Sequence, residues 1–260
     1  MSAPLRVLIL GGTGEASEIA NRLGDKTGIV AITSLAGRVQ QPRIPDGLVR
    51  VGGFGGVEGL ISFLRSEQID VVIDATHPFA AQISANAVAA CKQLGAPLIA
   101  FARAPWSGHE ADHWHVVPDV ESAADYVATT GGRVFLAIGR LHLDAFAACN
   151  TAWFLIRTID PPNVPLPANA KLVLERGPFH LDHEMHLLRN HAIDYIVSKN
   201  SGGQATYAKI EAARLLGLPV VMVDRPQKHT VPTVGTMDEV LENLNRLQLQ
   251  RAAIQEPCTP

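Results

Sequence analysis

Cysteine is scarce and scattered: Cys91, Cys149 and Cys258 are the three in a chain of 260 residues. An odd, widely spaced set excludes a disulfide framework and any C-x-x-C metal or redox box, and it suits a reducing compartment. No block of like charges occurs, and 22 Lys and Arg against 25 Asp and Glu leave a formal charge of −3. A nucleic-acid binder normally carries a basic face, so that class is set aside. Long apolar runs are missing too. The stretch near the N-terminus, Val7 to Leu10, is far too short for a signal peptide or a membrane span. A cytoplasmic protein with no membrane partner is the expectation. Glycine and proline, 22 and 17 residues, stand near their average share, so collagen-like and low-complexity readings fail.

What is present is material for a core, since the chain is 47% hydrophobic and 18% charged. Its length suggests one to two domains at about 150 residues each. Apolar runs alternate with amphipathic stretches. Leu5–Leu10, Gly28–Thr33, Leu48–Val51, Asp70–Ala75 and Pro97–Phe101 read as strands. Glu15–Leu23, Val57–Arg65 and Phe79–Leu94 read as the helices between them. After a polar, His-rich connector the rhythm repeats, with strands at Arg133–Ile138, Trp153–Thr158, Leu172–Glu175, Asp194–Ser198 and Pro219–Val223. Helices are expected at Val120–Thr129, Leu143–Cys149, Leu181–Asn190 and Gln204–Leu216, and Thr236 with Glu239 forms a capping box for a last helix to about Leu249. Continuous Val/Ile/Leu runs between helices mean parallel sheets covered on both faces. The fold class is therefore α/β, as two Rossmann-like doubly wound domains with a cleft between them. The pattern places an N-terminal NADP-binding domain at 1–128, a C-terminal substrate-side domain at 129–249 and a frayed tail at 250–260.

The first strand runs into Gly11-Gly12-Thr13-Gly14-Glu15-Ala16-Ser17. Glycines there turn the chain tightly and bring amide N–H groups, at a positive helix end, against a pyrophosphate. The fingerprint reads Gly12, Gly14, Ser17 or Gly11, Gly14, Ser17, with serine in place of the last glycine. The alternative is an ordinary strand–helix turn. Gly11, Gly12, Thr13, Gly14 and Glu15 form the cofactor-side set, with the Glu15 carboxylate expected to turn away from the phosphate. After the second strand, Thr33-Ser34-Leu35-Ala36-Gly37-Arg38 offers no acid. A carboxylate would repel a 2′-phosphate, whereas the Ser34 hydroxyl with the Arg38 guanidinium would hold it, so NADPH is preferred over NADH. Arg38 reads equally as a solvated loop residue.

Two further loops leave first-domain strands at their carboxyl ends, where such sheets bind ligands. Gly52-Gly53-Phe54-Gly55-Gly56 leaves bare backbone near the cofactor and puts Gly53, Phe54 and Gly55 on its side, unless it is a plain turn. In Thr76-His77-Pro78, Thr76 is expected to line the cofactor and His77 is either a proton donor near the nicotinamide or a structural cap. In the second half, Lys199-Asn200-Ser201-Gly202-Gly203 repeats the strand–loop–helix device. With Arg140 and Arg225 at other strand ends, it suits an anionic substrate. Three tempting signals fail. Tyr195-x-x-x-Lys199 falls in a β-run, where four residues span about 13 Å instead of facing each other on a helix. His183-Glu184-Met185-His186 is one residue short of the zinc motif. His109, His113 and His115 also lack metal spacing, so no metal is expected.

Taken together, LILGGTGEA (Leu8–Ala16), SLAGR (Ser34–Arg38), VGGFGGVEGL (Val51–Leu60), IDATHPFA (Ile73–Ala80), RAPW (Arg103–Trp106), IGR (Ile138–Arg140), KNSGG (Lys199–Gly203) and AKIEAARLLGLPVVMVDRP (Ala208–Pro226) resemble the precorrin-6A reductase family of cobalamin biosynthesis. The likeness runs in order from about residue 5 to 249. It implies NADPH-dependent hydride transfer to the C18–C19 double bond of a ring-contracted tetrapyrrole, giving precorrin-6B. A monomer is favoured over an oligomer, with Arg103, Arg140, Lys199, Asn200, Ser201, Gly202, Gly203, Lys209 and Arg225 expected on the substrate side. The rivals are the same reduction of the cobalt-containing precursor, a sugar-nucleotide dehydrogenase or epimerase (which would need a helical Tyr-x-x-x-Lys) and an NADP-binding regulatory module.

Overall fold

Strand β1 (Leu5–Leu10) is apolar at nearly every position because both of its faces are covered. Leu5, Val7 and Ile9 join one core cluster and Leu8 and Leu10 the other, following the two-residue alternation of a strand. The computed structural model describes residues 3–37, 44–227 and 231–255. From β1 the chain continues through α1 (Gly14–Gly24), β2 (Ile29–Leu35), β3 (Leu48–Val51), α2 (Gly56–Ser66), β4 (Val71–Asp74), α3 (Ala81–Leu94) and β5 (Leu98–Phe101). Next come β6 (Trp114–Val117), α4 (Val120–Thr130), β7 (Gly132–Ala137), a 3-10 turn at Leu143–Phe146, β8 (Ala152–Thr158) and β9 (Ala170–Leu174). The series closes with α5 (Leu181–Asn190), β10 (Tyr195–Lys199), α6 (Ala208–Leu216), β11 (Val220–Val223), β12 (Thr233–Val234) and α7 (Met237–Gln255).

Two six-stranded sheets result, in the orders β12-β5-β4-β1-β2-β3 and β6-β11-β10-β7-β8-β9. All the pairings are parallel. Each sheet has the doubly wound 3-2-1-4-5-6 order, with one exchange. The sixth strand of the first sheet, β12, follows the whole second series, and the sixth strand of the second sheet, β6, precedes it. The compact units are accordingly Met1–Arg103 with Gln227–Pro260, and Ala104–Pro226. This differs from the sequence-based boundary at 128/129, because β6 pairs with β11 and α7 packs into the first unit through Val240 and Leu244. Helix α7 also runs past Leu249 into the expected tail, and Arg251 pairs with Asp70. Its capping box is formed: Glu239 accepts from the Gly235 and Thr236 amides, and the Thr236 hydroxyl accepts from Glu239 N–H.

Helix α2 lies against the loop that precedes it. A Cβ on Gly59 would stand 1.7 Å from the Phe54 carbonyl oxygen, a contact only backbone movement relieves. Gly59→Ala is therefore expected to lower the unfolding free energy by about 3 kcal/mol. A urea midpoint equal to that of the parent protein would contradict this.

Candidate functional site

In the first unit the strand order reverses between β1 and β4, and the loops that leave them diverge there. Such a switch point is where open α/β sheets bind ligands. The turn after β1 is held at its base by Gly11 N–H donating to Ser34 O at 2.9 Å. Gly12 has φ +109° and nothing within 4 Å of where a Cβ would be, so its outer side is open. Thr13 is the N-cap of α1. Its hydroxyl accepts from Ala16 N–H at 3.1 Å and donates to Ala75 O at 2.8 Å, tying the β1 and β4 loops together. The turn's remaining capacity for an anion lies in its backbone.

Glu15 receives both bonds of a fork from Arg103 Nη1, at 2.7 and 2.8 Å. Burial alone would raise its carboxyl, but the Arg103 hydrogen bonds and charge outweigh that and hold it below its ordinary value. A hollow beside this pair is lined by Thr13, Glu15, Ala75, Thr76, Pro78, Phe101 and Arg103. Thr76 is held by buried Asp74, whose Oδ1 accepts from Thr76 Oγ1 at 2.6 Å and from Thr76 N–H at 3.1 Å. His77 is outside that lining. Its Nδ1 accepts from Phe79 N–H at 3.2 Å, which puts the proton of the neutral ring on Nε2.

At the next two strand ends, Ser34 and Arg50 are register partners on β2 and β3. Arg50 Nη1 donates to Ser34 Oγ and to Gly52 O, each at 2.9 Å, and Nη2 donates to Gly53 O at 3.1 Å. The guanidinium lies 4.0 Å from the Phe54 ring centre. Phe54, expected on the cofactor side, packs edge-on against Phe63 in the core, and Gly55 is the N-cap of α2. Arg50 escaped the sequence reading; a lone cation in a strand leading to the glycine loop was its one visible signal. Arg38 lies outside the described residues.

In the second unit the RAPW, KNSGG and DRP segments meet. Asn200 Oδ1 accepts from Trp106 N–H at 2.8 Å, its Nδ2 donates to Trp106 O at 3.2 Å, and Trp106 Nε1 donates to Gly203 O at 3.0 Å. Arg225 donates to the carbonyls of Asn200, Ser201 and Ala104. It thus shapes the loop through Gly202, where the sequence pattern suggested a cation facing ligand. Lys199 is 7% exposed, and burial pushes its ammonium down to about 8 against a smaller opposing effect of Glu121. Arg140, half-buried after β7, has no hydrogen bond or ion pair among the described residues. Tyr195 lies on the same strand as Lys199 and donates its hydroxyl to Gly131 O, so the two form no helical pair. Glu184 is ion-paired with Arg157 inside the unit, and no metal-holding group of three or more His, Cys, Asp or Glu occurs among the described residues.

Lys209 is 4% exposed, well inside the unit where a substrate-facing cation was expected. Its Nζ donates to Thr206 O at 2.7 Å and lies 4.6 Å from the Trp106 ring centre. Burial, then the Arg157 charge, push it down to about 7, partly opposed by Glu184. A lysine depressed in the folded state binds less proton there than in the unfolded chain between that value and 10.5. Stability must therefore rise with pH from 7 to 9, and Lys199 adds to the rise from about 8. Lys209→Met is expected to remove about 2 kcal/mol of the rise between pH 7 and 9. Urea unfolding at both pH values checks this, and an unchanged slope would refute it.

The chain matches the family model described as precorrin-6x reductase CbiJ/CobK over residues 6–245. A Rhodococcus erythropolis protein named precorrin-6A reductase is 50% identical over 235 residues, covering 90% of this chain and 94% of its own length. A Priestia megaterium protein named cobalt-precorrin-6A reductase is 26% identical over 254 residues, covering 92% and 97%. A solved structure titled CobK precorrin-6A reductase aligns with TM-score 0.88 and 47% identity, over 94% of this chain and 97% of that one. Among the described residues no helix is long and apolar enough to cross a membrane. With the family model spanning nearly the whole chain and a half-identical relative covered almost end to end, the protein belongs to the precorrin-6x reductase family.

Proposed function

We propose that the protein reduces precorrin-6A to precorrin-6B with NADPH as the reductant. The observation that carries this is the glycine turn at the β1/β4 switch point in a chain of this family. Its open side at Gly12 and Gly14 fits the close backbone approach of a pyrophosphate. When bound there, NADPH supplies the hydride for the C18–C19 double bond.

The chain's own residues then act by placement. Amides of the Gly12–Gly14 turn hold the phosphates at the start of α1, and the Thr13–Ala75 bond keeps the β4 loop beside them. Thr76, on the lining of the adjoining hollow, would face the nicotinamide end, with Arg103 keeping the Glu15 carboxylate off the phosphates. His77 is the candidate donor of a proton or hydrogen bond near the nicotinamide: Nε2 carries the proton of the neutral ring and suits a hydrogen bond, and transfer of a proton would need the ring in its charged form. Arg140 and the loop from Lys199 to Gly203 receive carboxylates of the macrocycle. Positioning of this kind supplies most of the catalysis when the acceptor is already electron-poor.

The metal-free substrate is favoured over the cobalt form by the identities, 50% against 26%. Purified protein with NADPH and precorrin-6A should consume the dinucleotide one for one with substrate, faster than with cobalt-precorrin-6A. Oxidation with neither substrate would remove the proposal.

A further inference from the structure

We infer that Arg50 is the residue that recognises the 2′-phosphate of the cofactor, reading it jointly with Ser34. The inference rests on the proposed NADPH reading and goes beyond it, because the sequence offered Arg38 for this task. Three neighbouring strand ends carry it. Gly11, after β1, donates its N–H to Ser34 O, so the phosphate-binding turn and the end of β2 are fixed edge to edge. Ser34 pairs in register with Arg50 on β3. The group at the end of the second strand of such a fold meets the adenosine ribose, where an acid selects a free 2′-hydroxyl and a cation a phosphate. Here that place holds a hydroxyl bearing a guanidinium.

The guanidinium is built into position. Nη1 is committed to Ser34 Oγ and Gly52 O, and one Nη2 hydrogen to Gly53 O. Phe54 lies behind it at 4.0 Å and Phe63 at 5.0 Å from the ring centres. Nε and the second Nη2 hydrogen have no partner among the described residues, and together they form the side of the fork that suits a phosphate. No carboxylate pairs with Arg50 among the described residues, so its charge is uncompensated where a dianion would arrive. A fork fixed before the ligand comes loses little freedom on binding.

The test measures dissociation constants of NADPH and NADH, and of 2′,5′-ADP and 5′-AMP, for the parent protein, Arg50→Gln and Arg50→Lys. Arg50→Gln should weaken NADPH and 2′,5′-ADP by about tenfold or more, the worth of a lost charge-assisted bond, with NADH and 5′-AMP changed by less than about twofold. Arg50→Lys should give an intermediate preference, because a point charge does not replace a fork. It decides the matter alone if the glutamine variant does not fold. Equal weakening of both members of each pair, as loss of loop shape would cause, overturns the assignment. So does a preference left intact in the variants while the parent protein favours NADPH. A parent protein that binds NADPH and NADH equally overturns this inference together with the NADPH reading beneath it.

Discussion

Gly12→Val is expected to weaken NADPH binding by about 100-fold, close to 3 kcal/mol, while the protein still folds. Two effects add. The φ of +109° lies where a β-branched residue is strained, at a cost of about 1–3 kcal/mol. The new side chain also projects into space with no protein atom within 4 Å of its Cβ, on the open side of the turn. It meets no core residue, so the fold survives, but it occupies the approach of the pyrophosphate. Unfolding in urea should show only the strain, and fluorescence titration the larger loss of affinity. A valine variant with the parent's affinity would mean that the phosphates bind elsewhere.

Glu184→Leu is expected to cost about 3–5 kcal/mol of unfolding free energy, the toll of leaving a buried charge without its partner. Glu184 is 0% exposed and Arg157 6%, and they are joined by two bonds, Nη1 to Oε1 at 2.5 Å and Nη2 to Oε2 at 2.9 Å. Arg157 is packed 3.6 Å from the Phe179 ring centre and 4.8 Å from that of Phe135, so little of it reaches water. Glu175, at 3.5 Å, remains as a weaker partner. Lys209, near Arg157, would lose the carboxylate that opposes its depression and be pushed further towards the neutral amine. The double variant Arg157→Met/Glu184→Leu should recover much of the loss, since replacing both partners removes the uncompensated charge. Urea unfolding of the two single variants and the double one measures this. A single variant within about 1 kcal/mol of the parent would show the pair to be marginal.

Strands buried on both faces were legible in the sequence, because β1, β4, β7 and β10 carry the consecutive apolar runs Val7–Leu10, Val71–Ile73, Val134–Ala137 and Tyr195–Val197. Of the edge strands, β3 and β9 were read, but β6 and β12 were not. β6, Trp-His-Val-Val in a histidine-rich stretch, has two exposed residues, and β12 is two residues long. Their exchange between the sheets sets the unit boundary, and exchange is a matter of pairing, which periodicity along one chain does not carry. The glycine turn was legible because glycine is needed where backbone must be bare. The cations were legible only as charge. Arg225 and Lys209 read like ligand-facing residues, yet one spends its donors on three carbonyls and the other is buried against Trp106. Arg50 went unnoticed because its meaning comes from Ser34 beside it, sixteen residues away along the chain.

A crystal structure of the protein with bound NADP tests the central claim most directly. The pyrophosphate should lie within hydrogen-bond distance of the Gly12–Gly14 amides, with the nicotinamide beside Thr76. A dinucleotide seated away from the turn that follows β1 would contradict the account.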